Sequence, residues 1–135
     1  MREYIFRGKR LDNGEWVEGS LIIYDWDNGY VSIYSIEEEM AFQVDPETVG
    51  QWTGFRDNDG DRIYEDDILK MITRVKDGKK RIFTVKWCDE CGRWVLPCDT
   101  DDELETDFTS FWGYDFKIIG NVYDNPELLG GETDD

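Results

Sequence analysis

The sequence contains no histidine in 135 residues, and this absence removes much of the common enzyme chemistry. It excludes Ser-His-Asp triads, Cys-His pairs and imidazole metal ligands. Hydroxyl side chains are present without a recognisable general base, and no Gly-rich phosphate-binding loop occurs. The acidic runs 65–67 and 101–103 offer paired carboxylates, but in so acidic a chain such pairs do not distinguish a catalytic site. We therefore predict that the protein is not an enzyme and has no catalytic or cofactor-binding residues.

Long hydrophobic runs are also missing. The longest uninterrupted run, Leu21–Tyr24, is about a fifth of the length that spans a bilayer. Residues 1–7 show neither an apolar signal-peptide region nor a small-residue cleavage site. The 3 cysteines, an odd number, are more typical of a reducing compartment than of a disulfide-stapled secreted scaffold. We expect no membrane association and a cytoplasmic location.

The sequence does contain enough apolar material for one small all-β domain. Hydrophobic residues make up 39% of the chain, with 6 Trp, 7 Tyr and 7 Phe. The turn sequences Asp12-Asn13-Gly14 and Asp27-Asn28-Gly29 each predict a hairpin. After the second turn, Tyr30–Tyr34 places Val and Ile on one side and Tyr, Ser and Tyr on the other. The predicted strands, mainly antiparallel and arranged in small barrels or a sandwich, are 4–6, 16–24, 30–34, 42–44, 67–75, 81–87, 93–96 and 116–123.

Helix is predicted only in short turns. One lies within 101–111, and the other is Pro126–Leu129, where Asn125 is the candidate N-cap and Pro126 the first helical residue. Residues 130–135 carry no apolar side chain and are expected to form a disordered acidic tail. Because no repeat or linker is evident, residues 1–129 are predicted to be a single domain.

The net charge of -17 is unevenly distributed along the chain. Residues 99–135 hold 12 acidic residues against the single base Lys117, a net charge of -11. A basic segment precedes them and predicts a molecule with separated charge. Its members are Lys70, Arg74, Lys76, Lys79, Lys80, Arg81 and Lys86, and a second small cluster is Arg2, Arg7, Lys9 and Arg10.

These charges allow several interpretations. The basic hairpin 70–86 suggests a nucleic-acid contact, but the net charge of -17 disfavours direct binding to phosphates. The hairpin is better explained as a solvated surface, or one that pairs with an acidic face of a neighbouring subunit. The acidity itself suggests a mimic of nucleic acid that binds a basic protein, although solubility explains it equally well.

Two short motifs suggest metal sites. Asp57, Asp59 and Asp61 begin like a calcium-binding loop, but Arg62 stands at the sixth position and Ile68 at the twelfth, so a turn with Gly60 at positive φ is the better interpretation. Cys88-x-x-Cys91-Gly resembles half of a zinc site.

That zinc site would need two more ligands. Cys98 is the candidate third, and the fourth would be a carboxylate such as Asp89 or Asp99, or a residue from another chain. A hairpin turn with incidental cysteines is the favoured interpretation. A redox role is disfavoured because a strand, not a helix N-terminus, adjoins the motif.

Residues 44–70, together with 6–9, 14–19 and 119–129, resemble the YopX-like family of phage and prophage proteins. The resemblance implies a mainly β architecture, with an N-terminal hairpin part at about 1–55 and an SH3-like barrel at about 56–125, but no particular biochemical activity. The family pattern usually has Gly where this chain has Asp66, and Asp tolerates positive φ better than most residues. The shared residues suit a framework: Gly50, Gly54, Gly60 and Gly120 in turns or close approaches, and Trp52, Ile63, Tyr64, Ile68, Ile118 and Val122 in a core.

From these observations we expect a phage or prophage accessory protein that is a non-enzymatic interaction module and self-associates. The alternatives are an acidic nucleic-acid mimic that binds a basic host protein, or a nucleic-acid- or metal-dependent activity on the barrel.

Overall fold

The computed structural model describes residues 3–72, 81–99, 105–108, 112 and 115–129. The chain divides into two compact units, Met1–Trp52 and Thr53–Asp135. The strands pair antiparallel, and the helical segments of the described residues are short 3-10 turns, so the all-β prediction is confirmed. No helix in the described ranges is long and apolar enough to cross a bilayer.

The first unit is an antiparallel sheet in the order β4-β3-β2-β1-β5. Both predicted hairpin turns are confirmed, because Gly14 has φ +75° and Gly29 has φ +79°. The isolated bridge between Arg10 and Val44 joins the residue after β1 to the residue after β4. The strands are β1 (Phe6–Lys9), β2 (Trp16–Asp25), β3 (Tyr30–Ser35), β4 (Met40–Gln43) and β5 (Gly50–Arg56), with a 3-10 helix at Pro46–Thr48 before β5.

The core of the first unit lies on one side of this sheet. Val17, Val31, Ile33 and Val44 are buried there, and Phe6, Leu21, Phe42 and Val49 pack against them. Gly19 on β2 permits a close approach to β3, because a Cβ at this position would lie 1.9 Å from the carbonyl oxygen of Tyr34.

The second unit contains two three-stranded sheets, β12-β7-β8 and β11-β10-β9, and β6 lies beside β5. Its core is rich in phenylalanine: the Phe55 and Phe108 rings stack at 4.2 Å, and Phe116 contacts both Phe83 and Phe108 edge-on. The strands are β6 (Arg62–Tyr64), β7 (Asp67–Met71), β8 (Ile82–Thr84), β9 (Lys86–Cys88), β10 (Arg93–Pro97), β11 (Glu105–Thr106) and β12 (Phe116–Asn121).

The SH3-like barrel that the resemblance implied is not present as a closed barrel in the described residues. These strands are 2 to 6 residues long and form two separate three-stranded sheets. β8 and the end of β10 are linked by the isolated bridge from Phe83 to Cys98 and by a hydrogen bond from the Asp99 N–H to the Ile82 carbonyl.

Several element boundaries differ from the sequence prediction. The predicted strand 81–87 is interrupted at Val85, which pairs with the Asp66–Asp67 backbone, and becomes β8 and β9. The predicted helix within 101–111 is wrong at Glu105–Thr106, where β11 pairs with Leu96 and Pro97 of β10. The rest of that helix prediction, the turn 73–80 and the tail 130–135 lie outside the described residues.

A 3-10 helix at Pro126–Leu129 confirms the predicted C-terminal helical turn. Asn125, the predicted N-cap residue, does not cap this helix with its side chain. The Asn125 side chain accepts a hydrogen bond from the Asn121 N–H, and its backbone carbonyl, not its side chain, accepts from Leu128.

Candidate functional site

Asp57 is the buried hub of the acidic turn between β5 and β6. Its Oδ1 accepts the N–H groups of Asp59 and Asp61, and its Oδ2 accepts that of Ile118 on β12, at 2.9 to 3.0 Å. Gly60 has φ +88°, so the turn interpretation of this motif is confirmed. The carboxylate of Asp57 is therefore used in holding the turn against β12.

The three carboxylates of this turn are close enough for their oxygens to lie within 4.8 Å of one another. A cation of the protein already pairs with this cluster: the Lys117 ammonium lies 2.6 Å from Asp59 Oδ2. This hydrogen bond raises the pKa of Lys117 above its ordinary value. The cluster is thus neutralised in part by the protein's own cation.

The Cys88–Cys91 motif lies at the turn of the β9–β10 hairpin. Cys88 pairs with Arg93 across the strands, which confirms the predicted hairpin. The Cys91 N–H donates to Cys88 Sγ at 3.1 Å, Gly92 has φ +66°, and the Gly92 N–H donates to the Cys88 carbonyl. A hydrogen bond between the two side chains raises the pKa of the Cys91 thiol, so the two sulfurs are neighbours.

Cys98 does not join this pair. It is 4% exposed and packs in the phenylalanine-rich core of the second unit with Ile63 and Leu96. Asp99, the other candidate ligand near it, accepts a hydrogen bond from the Thr84 hydroxyl at 2.5 Å. The structure thus brings together two of the three cysteines that the sequence proposed as ligands.

The basic cluster of the first unit is stacked on aromatic rings. The guanidinium of Arg7 lies 4.6 Å from the centre of the Trp16 ring, and the Lys9 ammonium lies 5.5 Å from it. Arg10 lies 3.9 Å from the Phe42 ring and forms two hydrogen bonds with Asp12, which lowers the pKa of the Asp12 carboxyl. Arg10 and Asp12 line an open groove of about 730 Å³ that also includes Glu38 and Met40.

Of the basic hairpin 70–86, the structure describes Lys70, Arg81 and Lys86. Lys86 forms a 2.8 Å ion pair with Asp66. Lys70 faces Lys117 across the β7–β12 pair, so part of the acidic C-terminal segment adjoins the basic segment in one sheet. Arg74, Lys76, Lys79 and Lys80 lie outside the described residues.

The first unit also has an uncovered aromatic surface that was not predicted from the sequence. By strand register, Tyr30, Ser32 and Tyr34 of β3 point away from the core, opposite Asp25, Ile22 and Ser20 of β2. Tyr30 is 56% exposed and Tyr34 is 38% exposed, and Tyr24 at the adjoining bulge is 73% exposed. We call the side of the sheet that carries Ile22, Tyr30 and Tyr34 the tyrosine face.

Acidic turns lie at both ends of the tyrosine face. Asp25 and Asp27 flank the exposed Trp26 at one end, and Glu37, Glu38 and Glu39 follow the exposed Ile36 at the other. The segment 20–43 contains these five acidic residues and no Lys or Arg. The alternation in Tyr30–Tyr34 signalled the two sides of β3, but sequence alone did not show that the tyrosine side stays uncovered.

Comparison with known proteins places the chain in a family. The family model described as "YopX protein" matches residues 5–130, which is most of the sequence. The chain belongs to the YopX family. No curated protein matches its sequence.

Two solved structures resemble the fold of this YopX-family chain. Protein yopX from Bacillus subtilis is 22% identical, with a TM-score of 0.58, and the match covers 98% of this chain and 100% of that one. Protein EF1440 from Enterococcus faecalis is 21% identical, with a TM-score of 0.57, and the match covers 96% of this chain and 99% of that one. At these identities the likeness concerns the fold.

The YopX-type framework residues serve the fold of the second unit. Gly54 and Gly60 have positive φ, and a Cβ on Gly120 would lie 2.5 Å from Asn125 Oδ1. Of the six residues predicted to form a core, Ile63, Tyr64 and Ile68 are buried, whereas Trp52, Ile118 and Val122 are only partly buried.

Asp66, at the position where the resemblance led us to expect Gly, has a φ of +70°, a conformation that glycine adopts without strain. Its carboxylate is held by Lys86 at 2.8 Å and by the Tyr123 hydroxyl at 2.8 Å. The Asp66 side chain therefore forms a polar link between β9 and the segment after β12.

Proposed function

We propose that this YopX-family chain is a non-enzymatic protein-interaction module of phage or prophage origin that works in the bacterial cytoplasm. Its contact surface is the tyrosine face with its two acidic turns, and its partner is a protein with a basic surface. The observation that carries the proposal is the exposure of Tyr30 and Tyr34 on a sheet whose other side holds the core.

Tyrosine on an uncovered sheet face suits a protein contact. Each aromatic side chain buries about 150–250 Å² when it is covered, and its hydroxyl still finds a hydrogen-bond partner. Tyrosines are accordingly enriched at protein interfaces and among the residues that dominate binding energy. Ile22 and Ser32 lie between the tyrosines and keep the centre of the face low in charge.

The charge around the tyrosine face selects the partner. Five carboxylates and no base in 20–43 attract a basic surface to this part of the sheet and repel an acidic one. The bases on the same side of the sheet, Arg7 and Lys9, lie at β1 and stack on Trp16. The same charge disfavours nucleic acid as the ligand of this face, since phosphates would meet Asp25, Asp27 and Glu37–Glu39. Mimicry of nucleic acid is the special case in which the basic partner itself binds DNA or RNA.

The polar groups of the shared motifs support a binding role over a catalytic one. Asp57 is occupied by three backbone N–H groups, and Asp66 by Lys86 and Tyr123. Hydrogen bonds of this kind fix the carboxylates in place and give them a role in the fold.

The proposal is tested by comparing the wild-type chain with the double variant Tyr30→Ser/Tyr34→Ser as baits for host-cell proteins, followed by affinity measurement with the purified partner. We expect a basic partner that binds the wild type and loses about 30-fold or more in affinity for the double variant, as when a binding hot spot worth about 2 kcal/mol is removed. Binding should weaken as salt is raised.

Tyr4→Ser is the matched control, because Tyr4 is 60% exposed and lies outside segment 20–43. The proposal is wrong if the wild type retains no protein beyond the double variant, or if the purified partner binds both equally.

A further inference from the structure

We propose that Cys88 and Cys91 are half of a zinc site, and that two copies of this chain each supply the pair to one Zn²⁺ held by four thiolates. This inference is independent of the proposed function, because it concerns a hairpin of the second unit and a second copy of the same chain.

The β9–β10 turn presents the two sulfurs as a bidentate ligand. Cys88 closes β9, and the hydrogen bond from the Cys91 N–H to Cys88 Sγ at 3.1 Å folds the turn back over the first sulfur. Gly92 at φ +66° lets the chain enter β10 directly after Cys91. A backbone N–H that donates to a sulfur orients it, as outer hydrogen bonds do for metal ligands generally.

The position of the turn leaves it accessible to an ion and to another molecule. Cys91 is exposed and Cys88 is partly exposed. Trp87, the residue before Cys88, is 43% exposed and packs edge-on against Trp94 at 5.0 Å.

The chain itself supplies two sulfurs, whereas a closed zinc site needs four ligands. Cys98 is buried in the core and is not available. Among the described residues, the one group of three or more metal-ligating side chains within reach of one another is Asp57, Asp59 and Asp61, which does not include the cysteines. A second copy related by a two-fold axis brings an identical pair and completes a tetrahedron of four cysteine thiolates.

The negative charge of the β9–β10 turn makes the contact between two copies of the chain depend on the metal. Asp89 and Glu90 lie between the two cysteines, so two turns that approach each other repel. The bonds from zinc to the four sulfurs overcome that repulsion, and each thiol gives its proton to the solvent as it binds. We therefore expect little association through this hairpin without the metal.

The experiment is a zinc titration of the reduced, untagged full chain, followed by removal of loose metal, elemental analysis and mass measurement by sedimentation equilibrium. The chain contains no histidine, so no imidazole contributes background binding. We expect one zinc per two chains, a doubling of mass with zinc, and return to the starting mass with a chelator. Substituting Co²⁺ should give the visible absorption of a tetrahedral thiolate site.

Cys88→Ser and Cys91→Ser should each lose the zinc and the mass change. Both side chains lie at an accessible turn, so far-UV circular dichroism should remain that of the wild type. Cys98→Ala is the control and should keep both properties.

Three results would overturn the inference: no zinc retained by the wild type, one zinc retained by each monomeric chain, or zinc and dimer formation that persist in the Cys88→Ser/Cys91→Ser variant. The last result would place the metal on carboxylates.

Discussion

At the scale of single residues, a buried carboxylate holds the most distinctive turn of the second unit. Asp57 is 4% exposed and accepts three backbone N–H groups, one of them from β12. Removing the side chain leaves these donors without their acceptor, which costs about 1–3 kcal/mol for a buried group.

We predict that Asp57→Ala lowers the free energy of unfolding by about 2 kcal/mol in urea denaturation. The exposed Asp61 provides the control, since its loss should change stability by about 0.5 kcal/mol or less. Equal effects of the two substitutions would show that Asp57 is not the hub of the turn.

At Asp66, backbone strain opposes the stabilising contacts of the side chain. Its φ of +70° strains any residue with a Cβ, while its carboxylate gains Lys86 and Tyr123. Asp66→Ala keeps the strain and loses both partners, whereas Asp66→Gly loses the partners and relieves the strain.

We therefore predict that Asp66→Gly is more stable than Asp66→Ala by about 1 kcal/mol, the cost of the left-handed conformation for a residue with a Cβ. Thermal or urea unfolding of the two variants gives the difference. If alanine is as stable as glycine here, the positive φ is not a property of the folded protein.

At the scale of elements, the first unit depends on the close approach of β2 and β3 at Gly19. A Cβ there would lie 1.9 Å from the Tyr34 carbonyl oxygen, and this neighbour is backbone that cannot rotate away. We predict that Gly19→Ala costs more than about 3 kcal/mol in urea denaturation, because the strands must separate to admit the methyl group.

Gly14→Ala is the matched comparison. Gly14 has φ +75°, but no atom lies within 4 Å of the position that a Cβ would take, so its substitution should cost only the backbone strain, about 1 kcal/mol. Similar losses at both positions would contradict the close strand contact.

Turn chemistry was the most predictable part of the fold. Asp-Asn-Gly sequences located both hairpins of the first unit because glycine adopts positive φ without strain, as Gly14 and Gly29 do. Strand ends were less predictable: the break at Val85 and the β11 pairing with β10 arise from partners distant in sequence. Local propensity carries no information about such partners.

The candidate sites show the same difference between features that depend on neighbouring residues and features that depend on the whole fold. The sequence identified the Cys88–Cys91 pair and its hairpin, since both are local, but it also offered Cys98, which tertiary packing buries. It showed Tyr30 and Tyr34 on one side of β3 without showing that this side is uncovered. Exposure is a property of everything that packs on a strand, so it became visible only in the folded chain.

At the scale of the whole molecule, acidic and basic segments that are separate in the sequence lie side by side in the fold, within a net charge of -17. The acidic C-terminal segment contributes β12, which adjoins the basic-segment strand β7, and Lys117 pairs with Asp59 from a third segment. In the first unit, by contrast, segment 20–43 has five acidic residues and no base, and the nearby bases are Arg7, Lys9 and Arg10 of the β1 segment. This local imbalance, more than the total charge, is the reason for proposing a basic partner.

The most direct test of this account is site-specific cross-linking to the partner in host cells, with a photoreactive amino acid in place of Tyr30 and, as the control, in place of Tyr4. The account predicts a covalent product with one basic protein from position 30 and little or none from position 4. A product from position 4 alone, equal yields from both positions, or no product from position 30 would contradict it.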